Sequence, residues 1–165
     1  MTYAIDIQNA HDYHINEDQL RCAADAILDM HETPHDTALS IVITDNAAVQ
    51  ALNQQYRNVD APTDVLSFPA EMPDMAEMQE DSVYLGDLII AYPYAAIQAE
   101  HIDHPLAENL VLLVIHGTLH LLGYDHDTSA NQAEMWAVQA QALASMNISD
   151  AIVPALAAKD TAHDE

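Results

Sequence analysis

Residues 110–122 constrain the fold more than any other stretch. They form a run of large apolar side chains interrupted only by His116, Gly117, Thr118 and His120. A helix opened by Pro105 and carried through this run to Leu122 is hydrophobic on nearly all sides, so it belongs at the centre of a core. Thirteen residues holding two histidines are too short and too polar to span a bilayer. His116 and His120 are four apart and share a helix face. Gly123, three residues on, suits the left-handed position that ends a helix and turns the chain back, which swings His126 round toward the pair.

Two histidines from a helix and a third from the turn after it have the spacing of a three-histidine zinc site, with one ion per chain. Two blander readings compete. The pair can be satisfied core histidines, or the zinc can be structural, with Asp125 or Asp127 closing the tetrahedron. Three histidines with an open fourth position is the catalytic pattern, and His116, His120 and His126 are the expected metal ligands.

The rest of the chain supplies what the central helix packs against. Residues 2–7 alternate as a first strand. Asn16 caps a helix to Met30, with Gln19 at the capping-box position and Leu20, Ala23, Ala24, Ile27 and Leu28 as its stripe. Cys22 on this helix reads as a small core or boundary residue. Residues 38–44 (ALSIVIT) read as a buried strand. Asp45 starts a second helix with Val49, Leu52 and Tyr56 on its inner face. Residues 63–68 form a short strand closed by Pro69. Residues 71–81 are an acidic loop without apolar period. Residues 83–91 form a fourth strand in which Gly86 marks a bulge or a close approach. A short helix over 92–101 precedes the central one, and Ser129, with Gln132, caps a last helix to about Met146. The reading is one α+β domain over 1–150 and an acidic, loosely held tail over 151–165.

Composition narrows the function. Twenty-seven Asp and Glu stand against three cations, Arg21, Arg57 and Lys159, for a formal net charge of −24. Such a surface repels phosphate backbones and anionic membranes at long range. The single cysteine excludes a disulfide framework. The first residues carry neither a basic region nor an apolar signal segment, so a cytoplasmic protein is expected.

The residue after His116 separates reaction classes. Zinc peptidases with this spacing carry a Glu there as general base, and this chain has Gly117. A peptidase would need Asp125 or Glu100 instead. A phosphodiester hydrolase needs a positioned cation to stabilise developing charge. Arg57, in the polar stretch 56–68, is either that cation or a surface ion-pair partner; Arg21 and Lys159 read as surface charges.

These residues resemble the YbeY family of bacterial endoribonucleases and rRNA maturation factors. The resemblance rests on Leu52-Asn53 with Tyr56-Arg57, on Pro62-Thr63-Asp64-Val65-Leu66-Ser67-Phe68-Pro69, on Leu85-Gly86-Asp87, on Gln98-Ala99 and on the His116-to-His126 signature, with Met135 beyond it. It covers about residues 50–146. It implies a zincin-like α+β fold, a small, mostly parallel sheet of about four strands surrounded by helices, with the zinc helix central. It also implies His116, His120 and His126 as zinc ligands, Arg57 as a catalytic residue, and Asp64, Ser67 and Asp87 as motif positions of unassigned role. The implied activity is zinc-dependent, single-strand-specific cleavage of RNA in small-subunit rRNA 3′-end maturation and ribosome quality control. The implied partners are ribosomal RNA and ribosomal particles, with a ribosomal or assembly-factor protein as a further candidate. A non-catalytic, zinc-stabilised assembly factor is the alternative. The net charge departs from the basic cleft the resemblance implies. The nucleophile, water or the RNA 2′-hydroxyl, stays open.

Overall fold

A computed structural model describes residues 3–34, 36–70 and 83–149. The elements run β1 (Ala4–Gln8), α1 (Glu17–Met30), β2 (Ala38–Thr44), α2 (Asn46–Arg57), β3 (Val65–Pro69), β4 (Tyr84–Ala91), α3 (Tyr92–His101), α4 (Leu106–Leu121) and α5 (Ser129–Ser145). The sheet order is β1-β2-β4-β3, with β1, β2 and β4 parallel and β3 antiparallel on the β4 edge. This is the expected α+β architecture of a small, mostly parallel sheet with helices around it. The expected loop over 71–81, Lys159 and the acidic tail lie outside the described residues.

Strand alternation divides the helices between the two faces. Leu39, Ile41 and Ile43 of β2, Val65 of β3 and Leu88 and Ile90 of β4 share a core with α1, α4 and α5. On the other face Leu66, Ile89 and Ala91 pack with Val49, and Leu52 and Phe68 border that smaller cluster, so α2 covers the β3–β4 side. The central-helix expectation is met: every residue from Asn109 to Leu119 is buried.

Local chemistry explains where the elements begin. Asn16 accepts from the Gln19 amide at 3.1 Å, and Asp45 accepts from the Ala48 amide at 2.9 Å. The last helix is capped one residue earlier than expected. Thr128 accepts from the Asn131 amide at 3.1 Å, and Ser129 is already helical. The third strand starts at Val65 because buried Asp64 folds back to accept from the Val65 amide at 2.6 Å. Pro69 is the strand's last residue, tolerated at the end of an edge strand.

Two side chains differ from expectation. Tyr56 is 61% exposed, because only its ring edge rests on Phe68, with ring centroids 5.2 Å apart. Cys22 is exposed, lying off the buried stripe Leu20, Ala23, Ala24, Ile27 and Leu28.

Gly86 fulfils both of its expected roles. Ala38 pairs with Tyr84 and Ser40 with Asp87, so β4 carries one extra residue between them. Gly86 has φ +142°, and a Cβ there would lie 2.2 Å from the Phe68 carbonyl oxygen.

Candidate metal centre

The centre grows from the end of α4. His116 and His120 are one turn apart; His116 is buried and His120 half-buried. Gly123 then adopts φ +103°, and the Tyr124 amide returns to the Leu119 carbonyl at 3.0 Å. The reversed chain brings His126 back over the helix. Its ring centroid lies 5.4 Å from that of His116 and 5.2 Å from that of His120. One ligand atom from each of the three histidines falls within 4.8 Å of the other two.

Hydrogen bonding on the far side of two rings decides what they present to this point. His120 donates from Nδ1 to the Tyr124 carbonyl at 2.9 Å. His116 donates from Nδ1 to Gln139 Oε1 at 2.7 Å. A carbonyl oxygen can only accept, so in the neutral form of each ring Nε2 carries a lone pair. These two Nε2 atoms stand 3.1 Å apart. Two lone pairs aimed at one point are favourable with a cation between them, so the donor set fits a divalent metal with nitrogen ligands.

Among the described residues no cysteine or carboxylate joins the three. Asp125 is exposed and accepts from the His126 amide at 2.8 Å. Asp127 is also exposed and accepts from the Asn131 side chain at 2.8 Å, which together with backbone hydrogen bonds and the neighbouring His126 lowers its pKa. A four-ligand structural site is therefore not what these residues build. Trp136 closes one side, its ring centroid 5.8 Å from His116 and 5.5 Å from His126.

Gly117 faces the sheet. A Cβ there would meet Leu88 Cδ2 at 2.8 Å and Ser67 Oγ at 3.3 Å. The peptidase position therefore lacks a base, and a side chain there would press on Leu88 and Ser67. Glu100, the other substitute, is exposed on α3.

The remaining motif residues fall in three places. Ser67 Oγ donates to the Gly117 carbonyl at 3.4 Å, tying edge strand β3 to the histidine helix. Asp64 is fully buried and accepts from Gln98 Nε2 at 2.9 Å, while Gln98 Oε1 accepts from Asn109 on α4 at 3.1 Å. This network braces the start of β3 against α3 and α4. Asp87 lies on the opposite sheet face with Ser40, where the Tyr84 hydroxyl donates to Asp87 and its oxygen accepts from the Ser40 hydroxyl at 3.0 Å. The bulge at Gly86 puts Tyr84 and Asp87 on one side, and burial with the Asp87 hydrogen bond raises the Tyr84 pKa.

Arg57 is not drawn into contact with the histidines. It is exposed in the last turn of α2, followed by Asn58 in the left-handed conformation. Among the described residues it forms no ion pair, whereas Arg21 pairs with Glu17 and Asp18. Buried Asn53 holds the chain beyond Arg57 by donating to the Ala61 carbonyl at 2.9 Å. Tyr56, its neighbour, touches Phe68 beside Ser67, so α2 ends against β3 from the face opposite α4.

Sequence reasoning missed Gln139, Tyr124 and His31. Gln139 interrupts the apolar stripe Met135, Ala142 and Leu143 of α5, and a polar residue inside a buried stripe was the available signal. His31 accepts from the Tyr124 hydroxyl at 2.7 Å, tying the metal turn to the end of α1.

Comparison with known proteins agrees with this geometry. Residues 6–147 match the family model described as Endoribonuclease YbeY. The protein named Endoribonuclease YbeY from Moorella thermoacetica is 48% identical over 115 residues, 67% of this chain and 73% of that one. Its namesake from Roseiflexus sp. is 39% identical over 150 residues, 88% of this chain and 94% of that one. The solution structure of TM1509 from Thermotoga maritima shares the fold with a TM-score of 0.56 at 21% identity, covering 87% of this chain and 91% of that one. By its sequence match over most of its length, the chain belongs to the YbeY endoribonuclease family.

Proposed function

We propose that this protein is a zinc-dependent, single-strand-specific endoribonuclease of the cytoplasm, acting in 3′-end maturation of small-subunit (16S) rRNA and in ribosome quality control. The observation that carries the reading is the convergence of His116, His120 and His126, without a carboxylate among them, in a chain of the YbeY family. The three histidines hold the ion, one per chain. Zinc bound there supplies a Lewis acid that polarises a phosphoryl oxygen or lowers the pKa of a water to about 7. Tyr124, through its carbonyl, orients the His120 ring. Arg57, exposed and without an ion pair among the described residues, clamps the phosphate and stabilises charge as it develops.

Three neutral imidazoles leave the ion's charge uncompensated, which gives an anion a local attraction in a chain whose net charge is −24. Long-range attraction to RNA is still absent, so the ribosomal particle, or a protein on it, presents the substrate. That charge also motivates a second reading, a zinc-stabilised assembly factor without turnover.

The deciding experiment is cleavage of a labelled small-subunit rRNA 3′-end fragment at low salt by zinc-loaded protein, beside His120→Ala. Cutting that disappears in the variant supports the nuclease. Folded, zinc-loaded protein that cuts neither the free fragment nor the fragment within a ribosomal particle selects the assembly factor.

A further inference from the structure

Gln139 is fully buried on α5, and its two amide atoms are treated differently by the fold. Oε1 accepts from His116 Nδ1 at 2.7 Å, whereas Nε2 is buried without a hydrogen-bond partner among the described residues. An orphaned amide nitrogen in a core is unfavourable, and a leucine would fill a similar space without it. A leucine would lose the acceptor behind His116. We infer that Gln139 is a positioning residue that selects the metal-binding tautomer of His116, holding its proton on Nδ1 so that Nε2 faces the metal point.

The alternative shows why the choice matters. If the amide turned over, its nitrogen would donate to His116 Nδ1 and the ring proton would move to Nε2. That proton would point at His120 Nε2, 3.1 Å away, and the two histidines would bond to each other across the metal position. His120 has no such freedom, because its Nδ1 faces the Tyr124 backbone carbonyl, which can only accept. The side-chain amide of Gln139 is therefore the one partner of the helix pair able to serve both the open and the closed arrangement. A carboxylate at 139 only accepts when ionised, so it would support the open one alone.

The inference rests on the zinc reading of the cluster, and its test does not use cleavage. Trp136 is the sole tryptophan and touches His116 and His126, so its emission reports on the centre. Zinc is titrated into metal-free, full-length protein against a competing chelator, with thermal melting of each metal-free variant alongside. Gln139→Leu is expected to weaken zinc binding about 10–100-fold, the usual effect of removing a partner behind a metal-bound histidine. Gln139→Glu is expected to bind zinc at least as tightly as wild type. Unchanged zinc affinity in Gln139→Leu, at whatever metal-free stability, overturns the inference. So does an equal loss in Gln139→Glu, which decides the matter alone if the leucine variant does not fold. A wild type without zinc affinity sinks both this inference and the proposed function. Gln139-dependent zinc binding in a protein that cuts no RNA leaves the inference standing and sinks the function.

Discussion

Ser67 on the edge strand and Gly117 on the histidine helix touch directly: the serine hydroxyl donates to the glycine carbonyl at 3.4 Å and fills the space a side chain at 117 would need. The residue after His116 is therefore set by packing as well as chemistry. Gly117→Ala pushes a methyl to within 2.8 Å of a Leu88 methyl, and Gly117→Glu brings a carboxylate into the same buried seam. The alanine variant is expected to lose about 1–3 kcal/mol, as overpacked cores do. The glutamate variant should lose more stability and gain no peptide cleavage. Chemical denaturation and a peptidase assay check this; peptide hydrolysis by Gly117→Glu would contradict the placement.

Two other glycines separate strain from space. Gly86 has both a positive φ and a backbone oxygen 2.2 Å from any Cβ, whereas Gly123 has a positive φ and open surroundings. Gly86→Ala is expected to cost roughly 2–4 kcal/mol from overpacking and backbone strain together. Gly123→Ala should cost about 1 kcal/mol, the backbone contribution alone. Urea denaturation of the two variants tests the order, which reverses if the bulge relaxes easily.

Asp25 on α1 predicts a pH dependence. Burial, and then Asp29 one turn away, raise its pKa above the usual 3.8, and its Oδ1 is buried without a hydrogen-bond partner among the described residues. The folded state thus holds this proton more tightly than the unfolded chain. Its favourable contribution is complete below about pH 3.8 and is lost as pH rises through the raised folded value. At neutral pH the charge is a penalty, a small one because the side chain keeps partial access to solvent. Asp25→Asn should raise the Tm at neutral pH and leave it unchanged in strong acid. A Tm gain equal at both pH values would show that charge is not the cause.

Arg57 is expected to separate rate from fold. Exposed and without an ion pair among the described residues, it is expected to contribute little to stability, so Arg57→Ala should change the unfolding free energy by less than about 0.5 kcal/mol. Zinc affinity should be unchanged, while RNA cleavage falls about 100-fold or more, the usual consequence of removing one stabilising donor. Undiminished cleavage would remove Arg57 from the reaction.

The parts of this fold legible in the sequence are those where one residue type has one physical reason to be there. Residues 110–122 have to be buried wherever they go, and Gly123 reads as the turn that returns His126. Gly86 likewise reads as a bulge because a strand interior disfavours glycine. Contacts between distant elements were harder to see. Helical spacing puts Tyr56 on the inner face of α2 but carries no information about where the sheet beneath it stops. Thr128 and Ser129 are equally good caps until the backbone chooses. Gln139 lies 23 residues beyond His116, and only packing of α5 beside α4 brings its amide to that ring. Arg57 stands out because cations are scarce, yet its place against β3 follows from α2 taking the other sheet face.

The most direct test of the account is RNA cleavage measured as zinc is returned to metal-free protein. Activity is expected to rise linearly to one zinc per chain and then level, with His126→Ala flat throughout. Cleavage by metal-free protein at the fully loaded rate would contradict the account.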